Sequence, residues 1–340
     1  MKPTSLAELR DAVRDSTGTL LVKGAGTASG WAGTPTGVDH ELETTGLTGI
    51  VAYNPADMTV AVRAGTRFSK LQEELAANGQ RIALDPARVQ AGATVGGLIA
   101  TADSGPLRHG YGGPRDLLIG VTMVLADGTV ARSGGHVIKN VAGYDLGKLL
   151  CGSFGTLGVI AEAVLRVHPL PPATRTVSIP CDVTEAVELT GRILEARLEP
   201  AALEWYGGAL HARYEGLESS VELRAAATPG GTVDHEASRV WDGEFVVRCG
   251  SRPSQLPAVA KHATAITSSV AVGVHTLAVD SATAVERLRD EFELTVCRRP
   301  AGSDLPAWGR PHPAVPLMRA VKQRFDPAGR LGPGRFAPWF

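Results

Sequence analysis

Glycine is not spread evenly along this chain. It gathers in three stretches before residue 160: KGAGTASGWAGTPTG (23–37), AGATVGGLIATADSGP (91–106, continued by YGGPRD at 111–116) and CGSFGTLGVI (151–160). Glycine makes up 40 of the 340 residues, about 12% against an average near 7%. Glycine costs order and contributes no side chain, so clusters of it mark places where bare backbone must turn tightly or approach something closely.

Other classes fall away quickly. The length suits two domains, or one large domain with an insertion, and 44% hydrophobic with 20% charged residues gives a core too large for a disordered chain. With 34 Lys and Arg against 35 Asp and Glu the net charge is -1, which offers no field for nucleic acid or an anionic membrane. MKPTSLAELRDAVRD carries charges throughout and has no apolar leader. The longest apolar run, Leu117 to Ala126, is about half of a bilayer crossing. A cytoplasmic protein is expected, peripheral to the inner face of a membrane only through partners. Cys151, Cys181, Cys249 and Cys297 are scattered without a C-x-x-C, so buried thiols are expected rather than a metal or cluster site.

The capping string Ser5-Leu6-Ala7-Glu8, with Leu6, Leu9 and Val13 behind it, predicts a helix over Ser5–Asp15. Strands are predicted at 19–22, 50–53 and 59–63, a helix at 67–78 with Phe68, Leu71 and Leu75 inward, and a hairpin from 117–126 and 129–133 around Asp127-Gly128. A strand ending near His168 closes this half before Leu170-Pro171-Pro172. Beyond it, helices at 183–197 and 282–292 alternate with strands at 203–206, 221–225, 245–249 and 270–274. A last helix, 314–325, carries Leu317, Val321 and Phe325 on one face.

Gly24-x-Gly26 after a strand invites a dinucleotide fingerprint, but that motif needs a helix at once. Gly30, Gly33, Pro35 and Gly37 forbid it. Either the stretch is only a tight turn, or the loop itself binds an anion through successive amides that need no helix. In the second case residues 24–28 hold a diphosphate, Thr27 adds a hydroxyl, and a second loop, 94–97 with 101–105, wraps the other side of a long ligand.

The strings ATVGGLIAT, YGGPRD, ADG, GYDL and GSFGTLGVIAEAVLRVHP, in unbroken order, resemble the PCMH-type FAD-binding domain of the vanillyl-alcohol oxidase and p-cresol methylhydroxylase superfamily. GHVIKNVAGYDLGKLLCGSFGTLGVI and the closing FDPAGRLGPGRF are most similar to the FAD-binding subunits of bacterial glycolate oxidases. The resemblance implies an α+β fold: a two-lobed FAD-binding domain (1–172), a smaller α+β cap domain (173–300) and a return segment (301–340) whose helix packs back on the first domain. It carries FAD over to Gly24, Ala25, Gly26, Thr27 and Ala28; to Thr94, Gly96, Gly97, Thr101, Ser104 and Gly105; to Arg115 and Asp116; and to Gly152, Gly155 and Ile160. Two departures stand out. Ala25 replaces a glycine, which requires a negative φ there, and Gly332 replaces an asparagine. No histidine lies between Lys23 and Gly37, so the FAD is expected to be non-covalent.

Oxidising a 2-hydroxy acid needs a cation for the carboxylate and a base for the hydroxyl proton. The catalytic relatives supply these from a histidine-rich motif, whereas His211, His235, His262, His275 and His312 stand singly here. Weak candidates are Lys139, Asn140, Tyr144 and His109. Tyr144 could equally serve packing, and Arg108 or Arg115 could equally sit in ion pairs. The expected function is the FAD-binding subunit of a glycolate or other 2-hydroxy acid dehydrogenase complex. The resemblance implies a catalytic flavoprotein subunit and an iron–sulfur subunit as partners, with no nucleic acid. The alternatives are a stand-alone flavin oxidoreductase and a scaffold subunit with a degenerate flavin site.

Overall fold

The computed structural model describes residues 1–136, 145–233 and 242–340. Chain contacts divide these into two units. One comprises Met1–Ser104, Gly112–Leu170 and Arg310–Phe340, the other Gly105–Tyr111 and Pro171–Gly309. The short segment Gly105–Tyr111 thus leaves the first sequence domain for the second unit. It is tied there by the Gly110 amide, which donates to Ala201 O at 3.1 Å, and by the Tyr111 hydroxyl on Glu215 at 2.9 Å. The boundary after the cap falls at Gly309.

In the first unit, helix α1 (Leu6–Asp15) starts where Ser5 accepts from the Glu8 amide, and it buries Leu9 and Val13. Glu8 turns back to the Thr4 amide at 2.9 Å, one residue short of the reciprocal bond a capping box would make. Strand β1 (Leu20–Lys23) runs parallel to β2 (His40–Glu43), and residues 24–39 join them without a helix. Antiparallel β3 (Ile50–Asn54) and β4 (Thr59–Arg63) follow, then α2 (Phe68–Ala76), β5 (Gln80–Arg81), α3 (Val95–Thr101), β6 (Leu118–Val124), β7 (Val130–Gly134), β8 (Val159–Arg166) and β9 (His168–Pro169). The sheet order is β3-β4-β8-β6-β7, and β5 pairs with β9.

Two apolar cores correspond to two lobes. One joins Val60, Val62, Leu71, Leu75, Leu98 and Met123. The other joins Leu9, Val13, Leu20, Leu42, Val159 and Leu331, so the closing segment completes it. Helix Val315–Phe325 packs Val321 and Phe325 on the first core. Leu317, expected on the same face, is 67% exposed, and Val315 takes the buried place instead.

The second unit is built on an antiparallel sheet: β10 (Ala173–Pro180), β11 (Ala202–Tyr206), β12 (Ala209–Gly216), β13 (Gly231–Val233), β14 (Phe245–Gly250), β15 (Ala265–Ser269), β16 (Val274–Val279) and β17 (Glu293–Arg298), in the order β13-β10-β12-β11-β15-β16-β14-β17. Helices Val183–Glu195, Glu218–Ala226 and Leu256–Ala260 cover Val177, Leu203, Leu210 and Tyr214. Two expectations fail here. The strand predicted at 221–225 lies inside a helix. Val221 and Ala225 are buried four residues apart while Leu223 between them is 73% exposed, a pattern that alternation along a strand would not give. The strand predicted at 270–274 begins only at Val274, because Val270–Val272 form a short turn stopped by Gly273 at φ 65°.

His275 on β16 is fully buried between two serines, its Nδ1 2.8 Å from Ser268 Oγ and its Nε2 2.9 Å from Ser251 Oγ. Burial pushes its pKa down to about 4. The unfolded chain therefore binds the proton first. The stability gained is complete above the ordinary histidine pKa near 6.5 and drains away as pH falls toward 4. Between pH 7 and pH 5 the loss is about 2 kcal/mol by this linkage. Denaturant melts of wild type and His275→Gln across that range check it, the variant giving a flatter profile.

Candidate functional site

The three glycine clusters meet in the first unit. A Cβ on Gly24 would stand 2.3 Å from Thr94 Oγ1, which places the first cluster against the start of α3. The Gly152 and Phe154 amides donate to Ile99 O (3.2 Å) and Ala100 O (2.8 Å) at the end of α3. A Cβ on Gly155 would sit 3.4 Å from Val22 Cβ, bringing the third cluster back to β1. They enclose a cavity of about 290 Å³.

Its wall includes Gly24, Ala25, Gly26, Thr27 and Ala28 from the first cluster. Thr94, Gly96, Gly97 and Thr101 come from α3, and Gly155 and Ile160 from the third cluster. The first stretch is a succession of turns. Gly26 takes the left-handed conformation at φ 75°, while Ala25 does not, so the alanine methyl is tolerated where it stands. Among the described residues no acceptor is found for the amides of Ala25, Gly26, Thr27 and Ala28, which leaves a row of donors on the wall.

The second cluster differs from expectation. Residues 95–101 form a helix rather than a loop, capped by Thr94, whose side chain accepts from the Gly97 amide. Gly96 is there for packing: its amide donates to Ala64 O at 2.8 Å, and a Cβ would fall 2.8 Å from Ala64 Cβ. Ser104, Gly105, Arg115, Asp116 and Gly152 are not on the cavity wall. Gly105 belongs to the second unit. Gly152, at φ 81°, makes the turn that presents Phe154. Arg115 and Asp116 occupy the short helix Pro114–Leu117, where the Asp116 carboxylate turns back to the Gly113 amide at 2.8 Å. Both line a different recess, beside the Asp145–Lys148 ion pair. His109 lies on the short helix Arg108–Tyr111 of the second unit, and burial lowers its pKa. Lys139, Asn140 and Tyr144 fall outside the described residues.

Several wall residues escape a sequence reading. Lys23 and Glu41 form an ion pair at the ends of β1 and β2. Phe154 stands edge-on to Phe336, with ring centroids 6.0 Å apart. Arg335, in the closing segment, reaches the wall from the far end of the chain. Its one available signal was the position of PGR in the closing string. Cys249 and Cys297 are buried, whereas Cys151 and Cys181 are only partly so. Burial pushes Cys151 and Cys249 up to about 12, which keeps both thiols protonated and inert. Among the described residues, no group of three or more metal-ligating side chains comes together, and no helix is long and apolar enough to cross a membrane.

The parallel strand pair β1–β2 is joined by a glycine-rich, helix-free loop with a row of amides that meet no protein acceptor, and residues 1–134 match the FAD binding domain family. The chain thus carries an FAD-binding domain. It is 32% identical over 239 residues to glycolate oxidase subunit GlcE of Escherichia coli (strain K12), covering 69% of this chain and 66% of that one. Glycolate oxidase subunit GlcD of Bacillus subtilis (strain 168) is 34% identical over 158 residues, 46% of this chain and 33% of its own. The mitochondrial D-lactate dehydrogenase (cytochrome) of Arabidopsis thaliana is 41% identical over 122 residues, 36% of this chain and 21% of its own. The chain thus spans about two thirds of the first relative and a third or less of the others. Among solved structures, an alkyldihydroxyacetonephosphate synthase aligns over 98% of this chain and 75% of its own, with a TM-score of 0.72 at 15% identity. That likeness concerns the fold alone.

Proposed function

We propose that this chain holds FAD without a covalent bond and is the FAD-binding subunit of a complex that oxidises a small 2-hydroxy acid, beside a catalytic flavoprotein subunit and an iron–sulfur subunit. The observation that carries this reading is the closure of three glycine-rich stretches on one cavity, with the Ala25–Ala28 amides still to be satisfied. The residues present suit the group. Gly24 to Ala28 would hold the diphosphate, Thr27 would add a hydroxyl, and Gly155 and Ile160 would line the remainder. Gly26 has no protein atom within 4 Å of where a Cβ would stand, so the space beside it is open to a ligand. When bound, FAD supplies the acceptor for a hydride from the hydroxyl-bearing carbon.

The reaction also needs a cation and a base. Arg108 and His109 stand side by side on one short helix. Burial keeps the imidazole neutral near pH 7, able to accept a proton. Of the other described histidines, His275 is held between two serines and His211 is stacked on Tyr206 at 4.1 Å. With so little acid–base machinery among the described residues, we assign the substrate step to a site shared with a partner subunit, and the relatives' names, which describe glycolate oxidase subunits, support that assignment.

A visible spectrum of the purified chain tests the reading. A yellow protein that releases FAD on acid precipitation is expected, and a colourless one that takes up no added FAD would sink the reading in favour of the scaffold. Glycolate or D-lactate added without air is expected to leave the isolated chain oxidised. Bleaching would instead make it a stand-alone oxidoreductase.

A further inference from the structure

We infer that Lys322 is a positioning residue for the FAD site: an ammonium off the cavity wall that fixes the turn through which the third glycine cluster enters the cavity. The inference rests on the proposed placing of FAD there. Lys322 is not among the wall residues. Its side chain is 17% exposed, and Nζ donates to Thr156 O (2.9 Å), to Leu331 O (2.8 Å) and to the Asp326 carboxylate. An ammonium has three donors, so each has its acceptor. Asp326 is itself buried, and its carboxylate also accepts from the amides of Arg330 (2.9 Å) and Leu331 (2.6 Å). Lys322 and Asp326 offset each other's charge, so what Lys322 gives the site is geometry rather than field.

Thr156 closes a strained turn. Phe154 and Gly155 both take the left-handed conformation, at φ 52° and 75°, which is costly for a phenylalanine, and both line the cavity. The Phe154 amide anchors the entry of the turn on Ala100 O at 2.8 Å. Its exit is held where Lys322 takes the Thr156 carbonyl. The bond to Leu331 leads from there to β1. Leu331 is fully buried and forms a parallel bridge with Leu20; the Leu20 amide donates to Arg330 O at 2.7 Å, and the Gly332 amide returns to Leu20 O at 2.9 Å. Strand β1 runs directly into the Gly24–Ala28 loop. One side chain thus ties the third cluster to the strand that carries the first. A Cβ on Gly332, the residue that replaces an asparagine, would stand 2.9 Å from Thr156 Cγ2, so its missing side chain lets the closing segment pass this near to the turn.

FAD titrated into the apoprotein and followed by quenching of flavin fluorescence tests this, at a temperature where near-UV circular dichroism shows each variant folded. Lys322→Met keeps the apolar stem and removes the donors. It is expected to weaken FAD binding about tenfold to a hundredfold. A merely structural role would lower Tm and leave the affinity of the folded protein as it was, so wild-type affinity in Lys322→Met overturns the inference. A double-mutant cycle with Gly155→Ala, which strains the same turn directly, locates the effect. The loss in the double variant is expected to fall well short of the product of the two single losses. Losses that multiply in full would mean that Lys322 acts by another route, and would overturn the inference too. Should Lys322→Met fail to fold because Asp326 is left buried without its partner, Lys322→Met with Asp326→Asn removes that charge, keeps an oxygen for the two amides, and is read in the same way. Failure of this variant as well would make Lys322 a residue of the fold and end the inference. Wild type that binds no FAD at all would instead remove the proposed function.

Discussion

Gly26→Val binds FAD at least about a hundredfold more weakly than wild type, a loss near 2.7 kcal/mol, and purifies colourless. Two effects combine. Gly26 sits at φ 75°, a conformation that costs an L-residue about 1–2 kcal/mol, more for a β-branched one. A strained loop gives up part of its amide row. The new side chain would then meet no protein atom within 4 Å of its Cβ and would instead take the place left for the ligand. Gly26→Ala separates the two, since it keeps most of the strain and little of the bulk, and an intermediate affinity is expected. Near-UV circular dichroism should show both variants folded. A valine variant that retains one flavin per chain would remove the Gly24–Ala28 stretch from the site.

Much of this was open to a sequence reading, and the failures have physical causes. The strands at 20–23, 50–54, 59–63 and 159–166 announce themselves because each is a short β-branched or apolar run bounded by turn residues. The first cluster was legible for a negative reason: too many glycines and prolines to start a helix, hence a loop. The same reasoning misled at 94–101. Gly96 and Gly97 each cost a helix about 1 kcal/mol, so a loop was expected, yet the close approach to Ala64 rewards the absent side chain. Tertiary packing overrode propensity. At Val221–Ala225 the alternation of apolar and polar letters mimicked a strand while the buried pair kept helical spacing.

Long-range convergence is harder still. Nothing near Arg335 in the sequence indicates that it will meet Ser29 and Trp31, more than 300 residues away. Arg115 and Asp116, which line a different recess, show the opposite case. The string that contains them carries the family resemblance, yet a proline-started turn of helix directs the carboxylate to its own cap rather than to the cavity.

A second large effect is expected on the other side of the same loop. Arg88 and Asp103 form a buried ion pair, Nε to Oδ2 at 2.9 Å, with side chains 6% and 0% exposed. Arg88 also donates to Thr101 Oγ1 at 2.7 Å and lies 4.0 Å from the centre of the Trp31 ring. One guanidinium thus links α3 to the loop whose Trp31 carbonyl Arg335 holds. Asp103→Ala leaves that charge buried beside a hole, at a cost of about 3–5 kcal/mol and a fall in Tm of roughly 10 °C for a unit of this size. The pair is not itself a large source of stability, because taking both charges out of water offsets most of their attraction. Arg88→Met combined with Asp103→Leu should therefore recover much of the Tm lost in Asp103→Ala. It should not recover FAD affinity to the same extent, since the link from Thr101 to Trp31 stays broken. Calorimetry and FAD titration on the single and double variants measure both. A double variant as unstable as Asp103→Ala would mean that the guanidinium holds the fold rather than the loop.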